Sequence, residues 1–209
     1  MFYGGIYTET KNRKYFIKKT IVYYDEPVCV EKGLLDTFDP ITTQSTNYKN
    51  WRAILDLKTC IDCRSRHGQI YSINEVVDPS PPLHVNCRCD IIPMKSISAG
   101  NATKNGDNGA DYWIKHFGEL PEYYITKSEL IDLGWSDGKK PAKFAPGKMY
   151  TKGIYSNADG HLPDSPDRVW YEADINYYEG RRNRHRILWS NDGLIFVTYD
   201  HYETFYEII

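Results

Sequence analysis

Two side chains in the C-terminal half of the chain are of the kinds that exchange protons near neutral pH. Glu172 lies in a stretch where apolar and polar residues alternate, and His201 follows a later stretch of strand-like residues. A glutamate with a pKa of about 4.3 is ionised at neutral pH and can accept a proton, whereas an imidazole with a pKa of about 6.5 can donate one. The two residues are therefore a candidate general base and a candidate general acid.

Three cationic side chains complement this pair. Arg182 and Arg186 lie between the two residues in sequence, and Lys127 lies at the start of a predicted helix. Guanidinium groups are permanently charged and form paired hydrogen bonds to phosphate oxygens. Cleaving RNA without metal requires a base for the 2′-hydroxyl, an acid for the 5′-oxygen and cations for the charged phosphorus. The set predicts this chemistry, although each residue alone is more typical of a solvated surface or a structural role.

The elements around these residues predict an α+β domain. Residues 110–117 have the pattern of a short helix, and a Thr-x-x-Glu capping box at 126–129 opens a second helix. Period-two alternation over 169–175 predicts a strand whose glutamate lies on the exposed face, opposite the aliphatic residues. Residues 186–199 predict a hairpin around Asn-Asp-Gly, and a last strand follows over about 204–209. Helices come first and an antiparallel sheet follows.

The two halves of the chain differ in composition. The five cysteines all lie within the first 89 residues, whereas small polar residues dominate from 96 to 109. This contrast predicts a Cys-rich N-terminal module over 1–95, a linker over 96–109 and a second domain over 110–209. In the first module, residues 15–24 are strand-like and residues 51–57 have the pattern of a short helix.

Two close cysteine pairs predict a metal site in the first module. Cys60-x-x-Cys63 and Cys87-x-Cys89 are separated by 23 residues, and His84 lies near the second pair. Four thiolates are a ligand set of structural zinc. Two disulfides, expected if the protein matures outside the cell, and reduced thiols are the alternatives. We expect structural zinc in this module and no cofactor for catalysis.

The composition excludes several classes of protein. A hydrophobic content of 41% and a charged content of 26% are typical of a globular chain. No apolar run approaches the ~20 residues needed to cross a bilayer, and no secretory signal follows Met1. Residues 110–209 carry 12 Lys and Arg against 16 Asp and Glu, so an RNA-cleaving site must concentrate positive charge locally.

From Ala110 to Ile209 the chain resembles the barnase (binase) family of bacterial extracellular ribonucleases. The resemblance implies a helical N-terminal part packed on a five-stranded antiparallel sheet. It is carried by Leu120-Pro121, Tyr124-Ile125-Thr126-Lys127-Ser128-Glu129, Leu133-Gly134-Trp135, Ala145-Pro146-Gly147-Lys148, Ser156-Asn157, Gly160, Leu162-Pro163, Trp170, Glu172-Ala173-Asp174-Ile175-Asn176-Tyr177, Gly180, Arg182-Asn183, Arg186-Ile187-Leu188, Asp200-His201-Tyr202 and Thr204-Phe205.

This resemblance implies a role for each candidate residue. Glu172 falls at the position of the general base and His201 at that of the general acid, while Arg182, Arg186 and Lys127 fall at positions that bind the scissile phosphate. The implied reaction is transphosphorylation to a 2′,3′-cyclic phosphate, followed by slower hydrolysis. A barstar-like immunity protein, acidic on its binding face, is the implied partner of the cleft.

The resemblance also implies that guanine is read by a loop, but with departures in this chain. Asp159 stands where the family has glutamate, and Ala158 where it has arginine. We therefore expect a preference for guanine that is weaker than in arginine-bearing relatives. The implied substrate-binding residues are Tyr155, Ser156, Asn157, Asp159 and Tyr202.

Residues 50–93 resemble the end of the phage Mu minor-head-protein (head-morphogenesis) family. Such modules also precede toxin domains in bacterial polymorphic toxins. Together the two resemblances imply a carrier module joined to an antibacterial ribonuclease toxin, exported or delivered to act in the cytoplasm of a target cell. The resemblance is carried by Trp51, Asp56, Thr59-Cys60-x-x-Cys63, Gly68 and Pro82-Leu83-His84-x-x-Cys87-Arg88-Cys89.

Two other functions are compatible with parts of the sequence. The first is a phage-type structural or nucleic-acid-binding protein whose nuclease domain is silent, against which the intact pair of Glu172 and His201 argues. The second is a DNA-degrading nuclease, which would need a metal cluster that residues 110–209 do not supply.

Overall fold

The computed structural model describes residues 15–17, 20–22 and 38–209. The chain divides into two units, 1–39 and 40–209. In the first unit, strand β1 (Tyr15–Ile17) pairs antiparallel with strand β2 (Thr20–Val22). The strand-like stretch predicted over 15–24 therefore contains two short strands rather than one. Cys29, and with it part of the predicted module over 1–95, lies outside the described residues.

The second unit is built on a nine-stranded mixed sheet. The described residues of this unit also form three α-helices. The helices are α1 (Ile61–Arg66), α2 (Ala110–Phe117) and α3 (Lys127–Asp132). Short 3-10 turns cover Gly106–Asn108 and Pro141–Lys143. The strands are β3 (Thr43–Ala53), β4 (Ile70–Ser72), β5 (Cys89–Ile97), β6 (Tyr124–Ile125), β7 (Met149–Tyr155), β8 (Trp170–Asp174), β9 (Arg186–Ser190), β10 (Ile195–Thr198) and β11 (Tyr206–Ile208).

This sheet corrects the predicted architecture of helices packed on a separate five-stranded antiparallel sheet. Strands β7 to β11 do pair antiparallel in sequence order. However, β6 adds parallel to β7, and β5 adds parallel to β11, so that the order is β4-β3-β5-β11-β10-β9-β8-β7-β6. An edge strand exposes unpaired backbone groups, and β5 satisfies those of β11. Hydrophobic periodicity carries no information about this long-range pairing.

The short helix predicted over residues 51–57 is wrong, because Trp51 and its neighbours belong to β3. Trp51 and Ala53 are buried whereas Arg52 between them is exposed. This period-two burial is that of a strand with one face against a core.

Other local predictions are confirmed. Helix α2 spans the predicted residues and ends at Gly118, which has φ +76°. Thr126 and Glu129 form the capping box that begins α3. Strands β9 and β10 form the predicted hairpin, with Phe196 opposite Leu188.

Two apolar clusters cover the two faces of the central strands. One includes α2, Ala173 of β8 and Val197 of β10. The other, on the opposite face, includes Trp170, Leu188 and Phe196. Because side chains alternate along a strand, Glu172 and Asp174 share the face of Trp170.

The segment between β5 and α2 is held by a buried carboxylate. Asp111, at the start of α2, accepts hydrogen bonds from the amides of Gly100 and Ala102 at 2.8 Å and from the hydroxyl of Thr103 at 2.9 Å. Ala102 is fully buried. These contacts attach the segment closely to α2, while the predicted division into domains at 96–109 stays a prediction. None of the helices in the described part of the chain has the length and apolar character needed to cross a bilayer.

Candidate active site

Strands β8 and β9 bring two acidic residues and an arginine onto one face of the sheet. Glu172 and Asp174 are two residues apart on β8, and Arg186 of β9 is paired directly with Asp174. On the other side of β9, Thr198 of β10 is paired with Arg186. The face is therefore charged near Arg186 and apolar near Trp170.

Glu172 is only 2% exposed, so the prediction that it lies on an exposed strand face is wrong. The hydroxyl of Tyr202 donates a hydrogen bond to Oε1 of Glu172, and Nε of Arg186 lies 3.3 Å from the same oxygen. Strand β8 is an internal strand of the sheet, and the loop that contains Tyr202 folds over its polar face. Local alternation cannot reveal such a covering loop.

Asp174 holds both arginines of the site and was missed as a functional residue by the sequence analysis. It is fully buried, and Nε of Arg182 donates to it at 2.5 Å, with a second hydrogen bond from the same guanidinium. Nε of Arg186 lies 3.1 Å from Oδ1 of Asp174. Its position two residues after Glu172, hence on the same strand face, was the signal that could have identified it.

The two arginines are further positioned by their surroundings. Burial acts to lower the pKa of Arg182, but its hydrogen bonds and charge interaction with Asp174 raise that pKa overall. The Arg182 guanidinium lies 4.4 Å from the centre of the Tyr150 ring. Arg186 donates to the backbone oxygens of Asn183 at 2.8 Å and of His185 at 2.7 Å. The guanidinium groups of both residues therefore have defined orientations.

His201 lies in a tight loop that follows β10 and is itself exposed. The backbone φ angles of His201 and Tyr202 are +68° and +75°, in the left-handed region that non-glycine residues rarely adopt. Asp200 stabilises this loop, because its Oδ1 accepts from the Thr198 hydroxyl and from the Thr204 amide, both at 2.9 Å. Strained backbone of this kind is concentrated at functional sites.

Tyr202 connects the candidate acid to the candidate base. Its ring centre lies 4.5 Å from that of His201, and its hydroxyl bonds Glu172. It also stacks on Tyr155 with centres 5.6 Å apart. Burial, aided by the negative charges of Asp159 and Glu172, raises the pKa of Tyr155 to about 12, so this tyrosine stays neutral at physiological pH.

The loop 156–162 lies directly after β7 and Tyr155. The side chain of Asn157 accepts from the Leu162 amide and donates to the Leu162 carbonyl oxygen, each at 3.0 Å. The amide of Gly160 donates to the backbone oxygen of Asn157 at 2.9 Å. Ser156 and Asp159 are exposed. The backbone of the loop is thus held by its own asparagine.

Lys127 occupies the first turn of α3, where its ammonium group lies 3.6 Å from the carboxylate of exposed Asp137. Helix α3 packs through Leu130 in a cluster that includes Tyr150, the ring beneath Arg182. The helix that carries Lys127 is therefore packed beside the arginine pair.

The four predicted cysteine ligands and His84 form two groups of three possible ligands, and the two groups share Cys63. Sγ of Cys60 and Sγ of Cys63 each lie 3.2 Å from Nε2 of His84, and Sγ of Cys63 lies 3.7 Å from Sγ of Cys87. Cys89 completes the second group with Cys63 and Cys87. His84 was not predicted as a ligand, although the His84-x-x-Cys87 spacing could have indicated it.

The donor set of these two groups is of the kind that binds zinc. The four cysteines at these positions are free, and 3.7 Å is far longer than an S–S bond of about 2.05 Å. In a tetrahedral zinc site with Zn–S bonds of ~2.3 Å, neighbouring ligand atoms lie roughly 3.5–3.8 Å apart. The 3.7 Å between the sulfurs of Cys63 and Cys87 matches this spacing, whereas the two 3.2 Å distances to His84 are shorter. The backbone N–H of Cys63 lowers the pKa of Cys60, whereas burial and the neighbouring cysteines raise the pKa of Cys63. The Cys/His cluster could therefore hold a metal ion.

Comparison with known proteins identifies both halves of the chain. A family described as ribonuclease matches residues 101–209, and a family described as Phage Mu protein F like protein matches residues 17–92. A ribonuclease of Heyndrickxia coagulans is 48% identical over 103 residues, which is 49% of this chain and 94% of that relative. Ribonucleases of Bacillus intermedius and Bacillus pumilus are also 48% identical over 103 residues, and the match spans 63% of each.

These matches confirm the resemblance inferred from the sequence. The ribonuclease match covers the whole acid–base and arginine constellation on β8, β9 and the loop after β10. The chain therefore belongs to the ribonuclease family.

Proposed function

We propose that this ribonuclease cleaves single-stranded RNA by metal-independent transphosphorylation, with Glu172 as the base and His201 as the acid. The observation that carries the proposal is the placement of both groups around Tyr202, whose hydroxyl bonds Glu172 and whose ring lies beside His201. A base and an acid on two sides of one aromatic residue can serve the two oxygens of a single phosphodiester.

The proton transfers follow from these positions. Glu172 takes the proton of the 2′-hydroxyl, and the 2′-oxygen forms a bond to phosphorus. The bond from phosphorus to the 5′-oxygen breaks as protonated His201 donates its proton to that oxygen. The products are a 2′,3′-cyclic phosphate and a free 5′-hydroxyl. In the slower hydrolysis, His201 takes a proton from water and Glu172 returns its proton to the 2′-oxygen.

Arg182 and Arg186 stabilise the pentavalent phosphorus in this proposal. Asp174 orients both of them, so little reorganisation is needed when negative charge develops on the phosphate. Lys127 adds a third positive charge from the first turn of the adjacent helix.

We propose a preference for guanine that is weaker than in arginine-bearing relatives. Backbone amides of the 156–162 loop and the carboxylate of Asp159 would read the base edge, with Tyr155 and Tyr202 as stacking partners. Ala158 supplies no cation to support the base. Sequencing of cleavage ends tests this proposal, and equal cleavage after all four bases contradicts it.

The experiment that tests the mechanism is an RNA digest in the presence of a strong chelator. We expect cleavage to continue and the products to carry 2′,3′-cyclic phosphate ends, detected by mass spectrometry before hydrolysis is complete. Products with only 5′-phosphate ends, or cleavage abolished by the chelator and restored by Mg²⁺, would exclude the proposed chemistry.

We further propose that the protein is an antibacterial toxin exported or delivered to the cytoplasm of a target cell. The Phage Mu protein F like segment would act as its carrier module, with structural zinc at the cysteine cluster. An acidic barstar-like inhibitor would cover Lys127, Arg182, Arg186 and His201. Expression in bacterial cytoplasm should arrest growth, and co-expression of such an inhibitor should restore it.

A second candidate is a phage-type structural or nucleic-acid-binding protein with a silent nuclease. The match of residues 17–92 and the alanine at position 158 favour it. The RNA digest discriminates the two, because a silent nuclease would bind RNA without producing new ends.

A further inference from the structure

The N-terminal part of the second unit contacts the ribonuclease half at the 156–162 loop. The backbone amide of Ile70 donates a hydrogen bond to the carbonyl oxygen of His161 at 2.8 Å. The side chain of Ile70 is 5% exposed and belongs to the same apolar cluster as Leu162 and Trp170. Strand β4 therefore fixes one end of the loop by both a backbone hydrogen bond and apolar packing.

Gly68, two residues before Ile70, lies near both Glu203 and His161. Gly68 has φ +86°, and a Cβ at this position would lie 3.4 Å from the backbone oxygen of Glu203 and 4.0 Å from Cδ2 of His161. Glu203 follows Tyr202 in the loop that contains His201. Residues 68–70 thus lie against both loops that surround the candidate active site.

The apolar cluster beneath these contacts is shared between the two parts of the unit. Tyr48 and Met94 come from β3 and β5, and the ring of Tyr48 packs edge-on against Phe196 at 5.3 Å. Leu162, at the end of the loop, is 2% exposed in this cluster. The position of Leu162 is therefore set by residues that lie far before it in the sequence.

This arrangement adds to what one matched relative contains. The 103 matched residues make up 94% of the Heyndrickxia coagulans ribonuclease, which leaves no length for a segment equivalent to residues 43–97. The side chain of Asn157 stabilises the loop by hydrogen bonds to Leu162 inside the loop, and Ile70 of strand β4 adds a backbone hydrogen bond to His161.

We propose that residues 68–70 position the 156–162 loop, so that the N-terminal segment determines base selectivity in this ribonuclease. The inference rests on the proposed function, in which this loop reads the base. Ile70 acts as the positioning residue: its amide bonds the loop backbone at His161 and its side chain packs in the adjacent core, and the loop in turn contacts RNA. Loosening the contact should weaken the binding of the preferred base more than it slows the chemical step.

The test compares two isoleucine-to-alanine variants of the full chain. Ile70→Ala opens a cavity beneath the loop, whereas Ile97→Ala opens one in the other apolar cluster, which contains no residue of the loop. For Ile70→Ala we expect the ratio of kcat/KM for guanine- over adenine-containing dinucleotides to fall roughly 10-fold, mainly through KM, within the ~10²-fold that a 1 Å misplacement can cost. Ile97→Ala should leave the ratio unchanged. Equal ratios in both variants and the wild type would overturn the proposal.

A second measurement separates this inference from the proposed function. Hydrogen exchange without substrate should show faster exchange at the Leu162 amide in Ile70→Ala than in Ile97→Ala. If the wild type has no base preference, the guanine proposal fails, while this comparison still decides whether Ile70 positions the loop. Ile70→Val, which removes one methylene, should show a smaller change in the same direction. Identical exchange at Leu162 in all variants would refute the positioning role.

Discussion

At the residue scale, the partners of Glu172 and Asp174 distinguish two carboxylates that share a strand face. Asp174 receives hydrogen bonds from Arg182 and is also paired with Arg186. Glu172 instead receives a hydroxyl hydrogen bond from Tyr202 and borders Arg186 at a longer distance. Asp174 is therefore placed to orient the two guanidinium groups, whereas the hydrogen bond to Glu172 comes from a tyrosine hydroxyl.

We predict that His201→Ala reduces the initial rate of RNA cleavage by ~10²–10⁴-fold, the usual contribution of general acid–base catalysis. Glu172→Ala should reduce it within the same range. His116→Ala is a matched control, because His116 is an exposed histidine on α2. A near wild-type rate for His201→Ala would contradict the assignment of the acid.

Asp174→Asn tests the support of the arginines. Removing one charge of a buried ion pair costs about 3–5 kcal/mol, so urea unfolding should show a loss of that order together with a raised KM for RNA. Asp192→Asn is the control, because Asp192 pairs with Arg168 in a similar forked geometry on the surface. There the expected loss is about 0–1 kcal/mol. An unchanged KM in a folded Asp174→Asn protein would show that Asp174 does not contribute to phosphate binding.

At the scale of elements, the cysteine cluster joins segments that have little apolar surface to bury. Cys60 caps the start of α1 and Cys63 lies within it, whereas His84 and Cys87 come from an irregular segment and Cys89 begins β5. Leu57, Ile61 and Val85 near the cluster are exposed, so a hydrophobic core does not hold these segments together. Metal binding can supply the missing stabilisation, as in other small Cys-rich modules.

We predict about one zinc per chain in protein purified under reducing conditions, measured by elemental analysis. Chelation should loosen residues 50–93, detected as faster hydrogen exchange. RNA cleavage should continue because the candidate catalytic groups lie elsewhere, but with a weaker base preference because Ile70 lies in the loosened segment. Cys63→Ser should lower the zinc content. Zinc-free protein with two Cys–Cys bonds by mass spectrometry would decide for the disulfide alternative.

At the scale of the whole second unit, β5 and β11 join the two halves into one sheet. Ser96 and Ile97 pair with Glu207 and Ile208 in parallel register. Glu207 is buried, and its carboxylate accepts hydrogen bonds from Ser45 and, at 2.6 Å, from Asn47. The last strand of the ribonuclease half is therefore an internal strand here, and its carboxylate satisfies polar groups of β3.

We predict that Glu207→Ala destabilises residues 40–209 as a unit. The change leaves the donors of Ser45 and Asn47 without their acceptor, at a cost of about 1–3 kcal/mol. Urea unfolding should keep a single transition that moves to lower urea. Glu179→Ala, at an exposed glutamate, should change stability by less than about 0.5 kcal/mol. Two separate transitions, with only the N-terminal one displaced, would show that the halves unfold independently.

The sequence by itself determined the features that depend on neighbours along the chain. The capping box at Thr126, the hairpin around Asn191-Asp192-Gly193 and the two cysteine pairs are local patterns whose geometry follows from a few adjacent residues. The family, and with it the identity of the candidate acid and base, followed from motifs spread over residues 110–209.

Only the tertiary structure decided which residues are covered and which strands meet. Glu172 is buried because a loop some thirty residues later folds over it, and His84 joins the cysteines across a chain separation of more than twenty residues. The pairing of β5 with β11 joins residues about 110 apart, through backbone groups that every residue possesses. Side-chain patterns do not encode such pairings, because burial and long-range backbone hydrogen bonding depend on the whole chain being folded.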